Sequence, residues 1–146
     1  MNDNCGLKDV STDLLLTSFL KASQRFEARV EAALGQAGLS LAKLGVLAHL
    51  VQAGEPLPLG RLAEKISCVK SNMTQLMDRL EADGLVTRVS DSTDRRCVRA
   101  AITAEGRNRY RSGARVLEEV EQSLLSSISS AERDQLLTVL SRITND

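Results

Sequence analysis

The chain has 146 residues, of which 42% are hydrophobic and only 2% are aromatic, so it can form one compact domain, or a small domain with dimerising helices, around an aliphatic core. No apolar run reaches the roughly 18 residues that span a bilayer, and the start of the chain lacks a basic-then-apolar signal segment, so neither a membrane protein nor an exported protein is expected. The three cysteines are an odd number and favour a reducing cytoplasm over a disulfide framework.

Charge is distributed unevenly along the chain, although the formal net charge is zero. The stretch 84–111 contains seven arginines and three acidic residues, whereas the stretch 112–146 contains six acidic residues and three arginines. A local basic patch, rather than the overall charge, determines the attraction to nucleic acid. The stretch 84–111 is therefore a candidate polyanion-binding surface, with an ordinary solvated surface as the alternative.

The first predicted element is a long N-terminal helix that follows a frayed leader at residues 1–10. From Ser11 to about Gly35, apolar residues recur at helical spacing, at Leu16, Phe19, Leu20, Phe26, Val30, Ala33 and Leu34. Because this amphipathic helix has no obvious partner within a small domain, we expect it to pack across a subunit interface.

Two further helices are predicted next. Ser40 is a suitable N-cap for a helix that ends near Gly54, and its buried side carries Leu41, Leu44, Val46, Leu47 and Leu50. Pro58 can occupy the first turn of a following short helix, whose apolar residues are Leu59, Leu62, Ala63 and Ile66.

The fourth predicted helix, residues 70–82, has two contrasting faces. Its apolar residues follow the spacing of a face that packs against a core, at Met73, Leu76, Met77 and Leu80. The other surface carries short hydrogen-bonding side chains, among them Ser71, Asn72, Thr74 and Gln75. A helix with such a surface can enter a DNA major groove and reach base edges. Gly84 is placed to end it as a C-cap.

Two strands are predicted after this helix, at residues 85–89 and 97–102. Apolar side chains alternate along the second strand, which gives it one inward face. The intervening residues 90–94 read SDSTD, which is typical of a turn, and Arg95 and Arg96 follow. A hairpin with arginines at its tip, beside a helix-turn-helix, is typical of a winged helix. Such an arginine can enter a narrow minor groove, where the negative potential is strongest.

Two helices are predicted after the strands. Thr103 is placed to cap a long helix, and the capping box Ser129-x-x-Glu132 opens a last one. These C-terminal helices and the distant N-terminal helix are most simply explained as one intertwined dimerisation region.

Three motifs recur in the central part of the chain. Residues 77–88 read MDRLEADGLVTR, residues 91–96 read DSTDRR, and residues 98–106 read VRAAITAEG. In order and spacing this segment resembles the MarR family of bacterial winged-helix transcription regulators. Three positions depart from the family pattern: Val69 and Lys70 stand where Ser and Pro are common, and Ile102 replaces the usual Leu.

The resemblance implies a mainly α fold with a small β-hairpin wing (α+β). A winged helix-turn-helix domain would occupy residues 39–103, between the N-terminal helix within residues 1–38 and the C-terminal helices within residues 104–146. The flanking helices would form a dimerisation domain. The resemblance also implies a cytoplasmic homodimeric repressor that binds double-stranded DNA and is released by a small-molecule effector. A dimer places two recognition helices about one DNA turn apart, which predicts a near-palindromic operator.

Nine residues are predicted to contact DNA: Lys70, Ser71, Asn72, Thr74, Gln75, Arg79, Arg88, Arg95 and Arg96. The short polar side chains suit base edges or nearby phosphates, and the amide of Gln75 suits adenine. Lys70 and Arg79 suit phosphates, which set register without reading sequence. Arg96 is the candidate for the minor groove. By the family pattern, Asp94 supports the wing arginines through a salt bridge.

The cysteines leave a second function open. Cys5 lies in the leader, Cys68 just before the fourth helix, and Cys97 beside the wing arginines. Positive neighbours and a helix N-terminus favour the thiolate, which is the form that oxidants attack, so a peroxide-responsive repressor is the alternative. Simple packing is the competing interpretation for Cys68. A winged helix that binds only proteins is a second alternative, and salt-dependent DNA binding would exclude it.

No signal for other chemistry is found. His49 is the only histidine, and no Cys/His spacing resembles a zinc motif. The sequence also lacks a Gly-rich phosphate loop and a nucleophile with a base at recognisable spacing. We therefore expect that the protein is not an enzyme and that it holds neither a metal nor a cofactor.

Overall fold

A computed structural model describes residues 14–66, 70–91, 93–94 and 96–144. Within these ranges the elements are, in order, α1 (Leu15–Gln36), α2 (Leu41–Ala53), β1 (Leu57–Pro58), α3 (Leu59–Lys65), α4 (Lys70–Ala82), β2 (Val86–Ser90), β3 (Val98–Ile102), α5 (Ala104–Leu124) and α6 (Ser130–Thr144). The predicted fold, mainly α with a small antiparallel β wing, is confirmed.

Side-chain caps begin two of the helices where the sequence predicts them. Ser40 Oγ accepts a hydrogen bond from the N–H of Lys43 at 3.2 Å, and α2 starts at the next residue. Thr103 Oγ1 accepts from the N–H of Gly106 at 2.9 Å at the start of α5. Each cap satisfies a main-chain donor that the first helical turn leaves without a partner.

The last helix begins at the predicted capping box. The N–H of Ser129 donates to Glu132 Oε2 at 2.7 Å, and the N–H of Glu132 donates to Ser129 Oγ at 3.3 Å. Glycines end two earlier helices: Gly54 after α2 and Gly84 beyond α4 have φ of 69° and 71°. This left-handed conformation strains any residue with a Cβ atom.

The sheet contains a strand that the sequence did not reveal. Its order is β1-β3-β2, and Leu57 and Pro58 of β1 pair with Ala100 and Arg99 of β3. Pro58 thus lies on an edge strand and at the N-cap of α3, one position before the predicted first turn. A proline is tolerated on an edge strand because no neighbour needs its missing N–H. The wing strands β2 and β3 each begin one residue later than predicted.

One aliphatic core connects α1, α2, α3, α4 and the sheet. Its fully buried side chains are Leu34, Val46, Leu47, Leu50, Leu62, Met73, Met77, Leu80, Leu85 and Val86. Burying one side chain of this size stabilises a fold by about 1.5–3 kcal/mol. Met73, Met77 and Leu80 confirm the predicted apolar face of α4, so the opposite face of that helix points to solvent.

Two glycines of α5 allow this helix to pack closely against the sheet and α2. A Cβ atom at Gly106 would lie 2.1 Å from the carbonyl oxygen of Leu85, and one at Gly113 would lie 2.7 Å from a methyl group of Leu44. Both glycines are buried. Close packing at these two points joins the long C-terminal helix to the central domain.

Apolar surface remains exposed near both ends of the chain. In α1 and just before it the exposed residues are Leu14, Leu15, Leu16, Phe19 and Leu20, and in α6 they are Leu136, Leu137, Val139 and Ile143. No residue of α6 is buried. Exposed apolar residues clustered on a helix are typical of a contact with another chain.

Candidate nucleic-acid interface

The outward face of α4 carries most of the side chains predicted to contact DNA. Asn72, Thr74, Gln75 and Arg79 are all exposed. Asn72, Gln75 and Arg79 also share the rim of a cavity of about 280 Å³, between α4, Ala42 of α2 and the end of α3. These three side chains can therefore act on the same short DNA segment. The side chains of Lys70 and Ser71, also predicted to contact DNA, lie outside the described residues.

Arg88, which is predicted to contact DNA, has its guanidinium group paired with carboxylates of α4. Nη2 donates to Asp78 Oδ1 at 2.5 Å, and Nη1 donates to Glu81 Oε2 at 2.5 Å. The main-chain N–H of Arg88 also donates to Glu81 Oε1 at 3.1 Å. The hydrogen bond with Asp78, followed by that with Glu81, raises the pKa of Arg88. Two carboxylates thus flank this single positive charge, and Arg88 holds β2 against α4; its contact with DNA stays a prediction.

The wing turn is held by Asp91. This carboxylate is 8% exposed, accepts from Arg99 Nε at 2.6 Å, and accepts from the N–H and hydroxyl of Thr93 at 2.8 and 2.7 Å. The hydrogen bonds from Thr93 and then the Arg99 guanidinium hold the pKa of Asp91 well below its usual range. Arg99 also donates to the carbonyl oxygen of Pro56, so the turn is tied to the segment before β1.

Asp94 is predicted to support the wing arginines, and in the described part of the wing it contacts the main chain. Its Oδ1 accepts the main-chain N–H of Arg96 at 2.9 Å, which bends the chain but leaves the guanidinium of Arg96 unpaired by this carboxylate. Within the described part of the wing, the ion pair joins Asp91 and Arg99. Asp94 therefore shapes the wing tip through the main chain, and its predicted salt bridge to Arg95 falls outside the described residues and stays a prediction.

Arg96 lies where the wing faces α4. It is exposed, and it lines a cavity of about 290 Å³ together with Thr74 of α4, Cys97 and Val98 of the wing, and residues 58–60. A side chain at this position can extend beyond the wing and contact the same ligand as α4. Arg95, the neighbouring candidate, lies outside the described residues.

Cys97 is the free thiol in the described part of the chain and is half-buried. It lines the same cavity between the wing and α4 as Arg96. Oxidation there would add polar atoms between the wing and α4. Cys5 and Cys68, the other predicted redox candidates, lie outside the described residues.

The basic patch is smaller than the arginine count of residues 84–111 indicates. Arg88, Arg99 and Arg109 each form an ion pair, with α4, with Asp91 and with Glu105 respectively. The acidic residues that pair with Arg88 and Arg99 were not identified from the sequence. Two signals were available: Asp78 and Glu81 are spaced to lie on one face of a helix, and residues 91–93 form an Asp-x-Thr turn. Among the described arginines of this stretch, ion pairing thus leaves Arg96 on the wing and Arg107 and Arg111 on α5 exposed.

The described residues contain no group of three or more His, Cys, Asp or Glu side chains that could hold a metal ion. Among them, no single helix is long and apolar enough to cross a membrane. Helices α1 and α2 reach that length and composition only as a pair, which is bent by 77° at its junction.

Comparison with known proteins agrees with this architecture. Residues 39–98 match the model of the MarR family. The chain is 29% identical over 109 residues to YdgJ of Bacillus subtilis, an uncharacterized HTH-type transcriptional regulator, and the alignment covers 75% of this chain and 66% of YdgJ.

Two solved structures share the fold over almost the whole chain. BpsR from Bordetella bronchiseptica, studied for the regulation of its DNA binding by 6-hydroxynicotinic acid, superimposes with a TM-score of 0.81 at 20% identity and covers 94% of this chain and 97% of its own. A mutant of MarR from E. coli, in complex with operator DNA, has a TM-score of 0.78 at 19% identity, with 88% of this chain and 92% of its own covered. The match thus extends beyond the central domain to the flanking helices.

Proposed function

We infer that the chain belongs to the MarR family of winged-helix transcription regulators, whose model matches residues 39–98, and we propose that it is a cytoplasmic homodimeric repressor of a near-palindromic operator, released by a small-molecule effector. Proteins of this family bind DNA and are not enzymes. The observation that carries the proposal is that the exposed polar face of α4 lies beside an exposed wing arginine, on one side of the domain.

Helix α4 is the recognition helix in this proposal. Its buried face anchors it in the core, and its outward face presents Asn72, Thr74 and Gln75, whose amides and hydroxyl can bind base edges in a major groove. Arg79 near its C-terminal end contacts a phosphate and sets the register. We assign the same two kinds of contact to Ser71 and Lys70 at the start of the helix.

The wing acts as a second contact at a fixed distance from α4. Because Arg88 joins β2 to Asp78 and Glu81, the wing and the recognition helix move as one body. Arg96 then enters the minor groove next to the major groove that α4 occupies. Arg95, beside Arg96 in the sequence, adds to the positive charge at the wing tip.

The flanking helices form the dimerisation domain, within residues 1–38 and 104–146. The exposed apolar side chains of residues 14–20 and of α6 support this assignment, since contact with a second copy would remove them from water. The DNA-binding domain would then occupy residues 39–103, and its close packing on α5 would transmit the geometry of the dimer to the two recognition helices.

An effector can release DNA by altering the distance between the two recognition helices. BpsR, which shares this fold, is described as regulated in its DNA binding by 6-hydroxynicotinic acid, which supports a small-molecule effector here. To reverse a 1:99 equilibrium into 99:1, the effector must favour one spacing by about 5.5 kcal/mol. Such a preference can come from contacts that exist in only one arrangement of the dimer.

Thiol oxidation is a second candidate for the release of DNA. It is favoured by Cys97, which is half-buried in the cavity between the wing and α4. A sulfenic acid or a mixed disulfide at this position would push the wing away from the recognition helix.

Fluorescence anisotropy tests the function directly. The labelled duplex is the DNA adjacent to the protein's own gene, titrated at several salt concentrations with reduced protein, peroxide-treated protein and thiol-rescued protein. Tight binding that weakens as salt rises supports a DNA-binding regulator, and loss of binding only on oxidation selects the thiol mechanism. Binding that ignores peroxide removes the cysteines from the mechanism. Absence of binding to this duplex and to a randomised duplex at every salt concentration would favour a protein-interaction module.

A further inference from the structure

A basic groove lies far from the recognition helix, between α1 and the C-terminal end of α5. It has a volume of about 530 Å³ and is lined by Lys21, Ala22, Arg25, Phe26, Arg29, Ser123, Leu124, Ser126 and Ser127. Its three cations stand four residues apart on α1, so they form one row along the helix. With a rise of about 1.5 Å per residue, this row is about 12 Å long.

The cations of this row lack carboxylate partners among the described residues. Ion pairs in that part of the chain involve Lys43, Arg88, Arg99, Arg109 and Arg133, but none involves the row on α1. All three side chains are exposed. Like charges at four-residue spacing destabilise a helix, so the row on α1 carries a repulsion that a bound anion would relieve.

The opposite wall of the groove adds neutral donors and an apolar floor. Ser126 Oγ donates to the carbonyl oxygen of Ser123 at 3.0 Å, whereas the hydroxyls of Ser123 and Ser127 can donate to a ligand. Phe26 and Leu124 contribute apolar surface between the two walls. In the last turn of α5, the carboxylate of Glu121 is paired with Arg133 and not with the row.

We propose that this groove binds a small organic polyanion with two or more phosphate or carboxylate groups joined by an apolar or neutral portion. The length of the row suits several separated negative groups better than a single one. The inference rests on the proposed function in one respect, namely that this ligand is the effector.

The position of the groove connects the ligand to the DNA-binding domain. Helix α1 ends at Gln36, and Arg109 of α5 donates to the carbonyl oxygen of Ala37 at 2.9 Å just beyond it. An anion that draws α1 towards the end of α5 therefore acts on both helices that support the DNA-binding domain. DNA affinity is expected to fall when the groove is filled.

Calorimetric titration of the full-length protein without DNA tests the site. The probes are pyrophosphate and citrate, added at constant ionic strength, with benzoate as a monovalent comparison. We expect one polyanion per chain, and we expect the combined variant Lys21→Gln, Arg25→Gln and Arg29→Gln to lose at least about tenfold in affinity. A preference between the two probes distinguishes a phosphate ligand from a carboxylate ligand.

A matched control is available on α5. Arg107, Arg111 and Arg115 are exposed and have the same four-residue spacing, so changing all three to Gln removes the same charge from another helix. This control variant should retain polyanion affinity within about twofold, since long-range charge effects are screened over about 10 Å. The single variant Arg25→Gln, checked by circular dichroism, tests the site without the larger change of charge.

Three results would overturn the proposal. One is polyanion binding no stronger than that of benzoate, and another is an equal loss of affinity in the α1 and α5 variants. The third is dissociation of the α1 variant into monomers, seen by light scattering, with no polyanion binding in the wild type, because the row then pairs with acidic residues of a second copy. Operator binding is measured on the same samples. Its absence with polyanion binding intact contradicts the proposed function and the effector role but not the binding site, whereas operator binding without polyanion binding contradicts only this inference.

Discussion

Arg88 on β2 and Glu81 on α4 are joined twice, through the main-chain N–H of Arg88 at 3.1 Å and through its guanidinium at 2.5 Å. Both carboxylate oxygens of Glu81 thus accept a hydrogen bond from Arg88, and these two bonds set the orientation of the Glu81 side chain. Asp78 Oδ1 accepts a hydrogen bond from the other terminal nitrogen of the same guanidinium, Nη2. The three residues connect α4, the proposed recognition helix, to the wing.

Replacing Arg88 should therefore weaken DNA binding without removing a DNA contact. In Arg88→Ala, operator affinity should fall because α4 and the wing lose their common orientation and two carboxylates remain unpaired near DNA. The salt dependence of binding should stay close to that of the wild type, and stability should fall by about 1 kcal/mol, since the pairs are partly exposed. Anisotropy and urea denaturation measure the two effects. A salt slope lower by about one would show instead that Arg88 contacts a phosphate.

Arg96→Ala should give the opposite pattern. Affinity should fall for all duplex sequences, and the slope of log affinity against log salt should become shallower by about one, because one phosphate or minor-groove contact is lost. Stability should not change, since Arg96 is exposed. Arg115→Ala, an exposed arginine in the middle of α5, is the control. An unchanged salt slope in Arg96→Ala would remove this side chain from the interface.

Gly106→Ala should destabilise the protein strongly. Its Cβ atom would lie 2.1 Å from the carbonyl oxygen of Leu85, which is a main-chain atom and cannot rotate away. A cost of about 1–3 kcal/mol or more is expected from overpacking. Gly45→Ala is the matched control, because a Cβ atom at this position of α2 would meet no heavy atom within 4 Å; it should stabilise by about 0.5–1 kcal/mol. Equal stability of the two variants in denaturant unfolding would contradict the close packing of α5.

Asp91 should make the free energy of unfolding depend on pH in the acidic range. Its pKa is lowered in the folded state by Thr93 and Arg99, so its contribution is complete above the unfolded value of about 3.9 and is lost as pH falls below it. Asp91→Asn should therefore reduce stability at pH 7 but change it much less at pH 2. Unfolding in urea at both pH values measures this, with Asp94→Asn as a control that removes a carboxylate charge but keeps an oxygen that can accept the main-chain N–H of Arg96. The same loss at both pH values in Asp91→Asn would show that the carboxylate charge is unimportant.

Most helices could be predicted because their signals are local. The apolar spacing of α4, the N-caps Ser40 and Thr103 and the capping box at Ser129 all depend on residues within a few positions of each other. The motifs of residues 77–106 carry the resemblance to the MarR family, whose model matches residues 39–98. Strand β1 could not be predicted in the same way, because two residues show no alternation and their partner β3 is distant in sequence.

The sequence by itself determined the order of the helices, the polar face of α4 and the arginines of the wing. Only the tertiary structure decided which charges remain free. Arg88 and Arg96 belong to the same basic stretch, but folding places Arg88 against two carboxylates of α4 and leaves Arg96 exposed. It also places Asp91, and not Asp94, against Arg99. The reason is physical: spacing along the chain sets which residues share a face, whereas ion pairing depends on distances of a few ångströms between elements that only packing brings together.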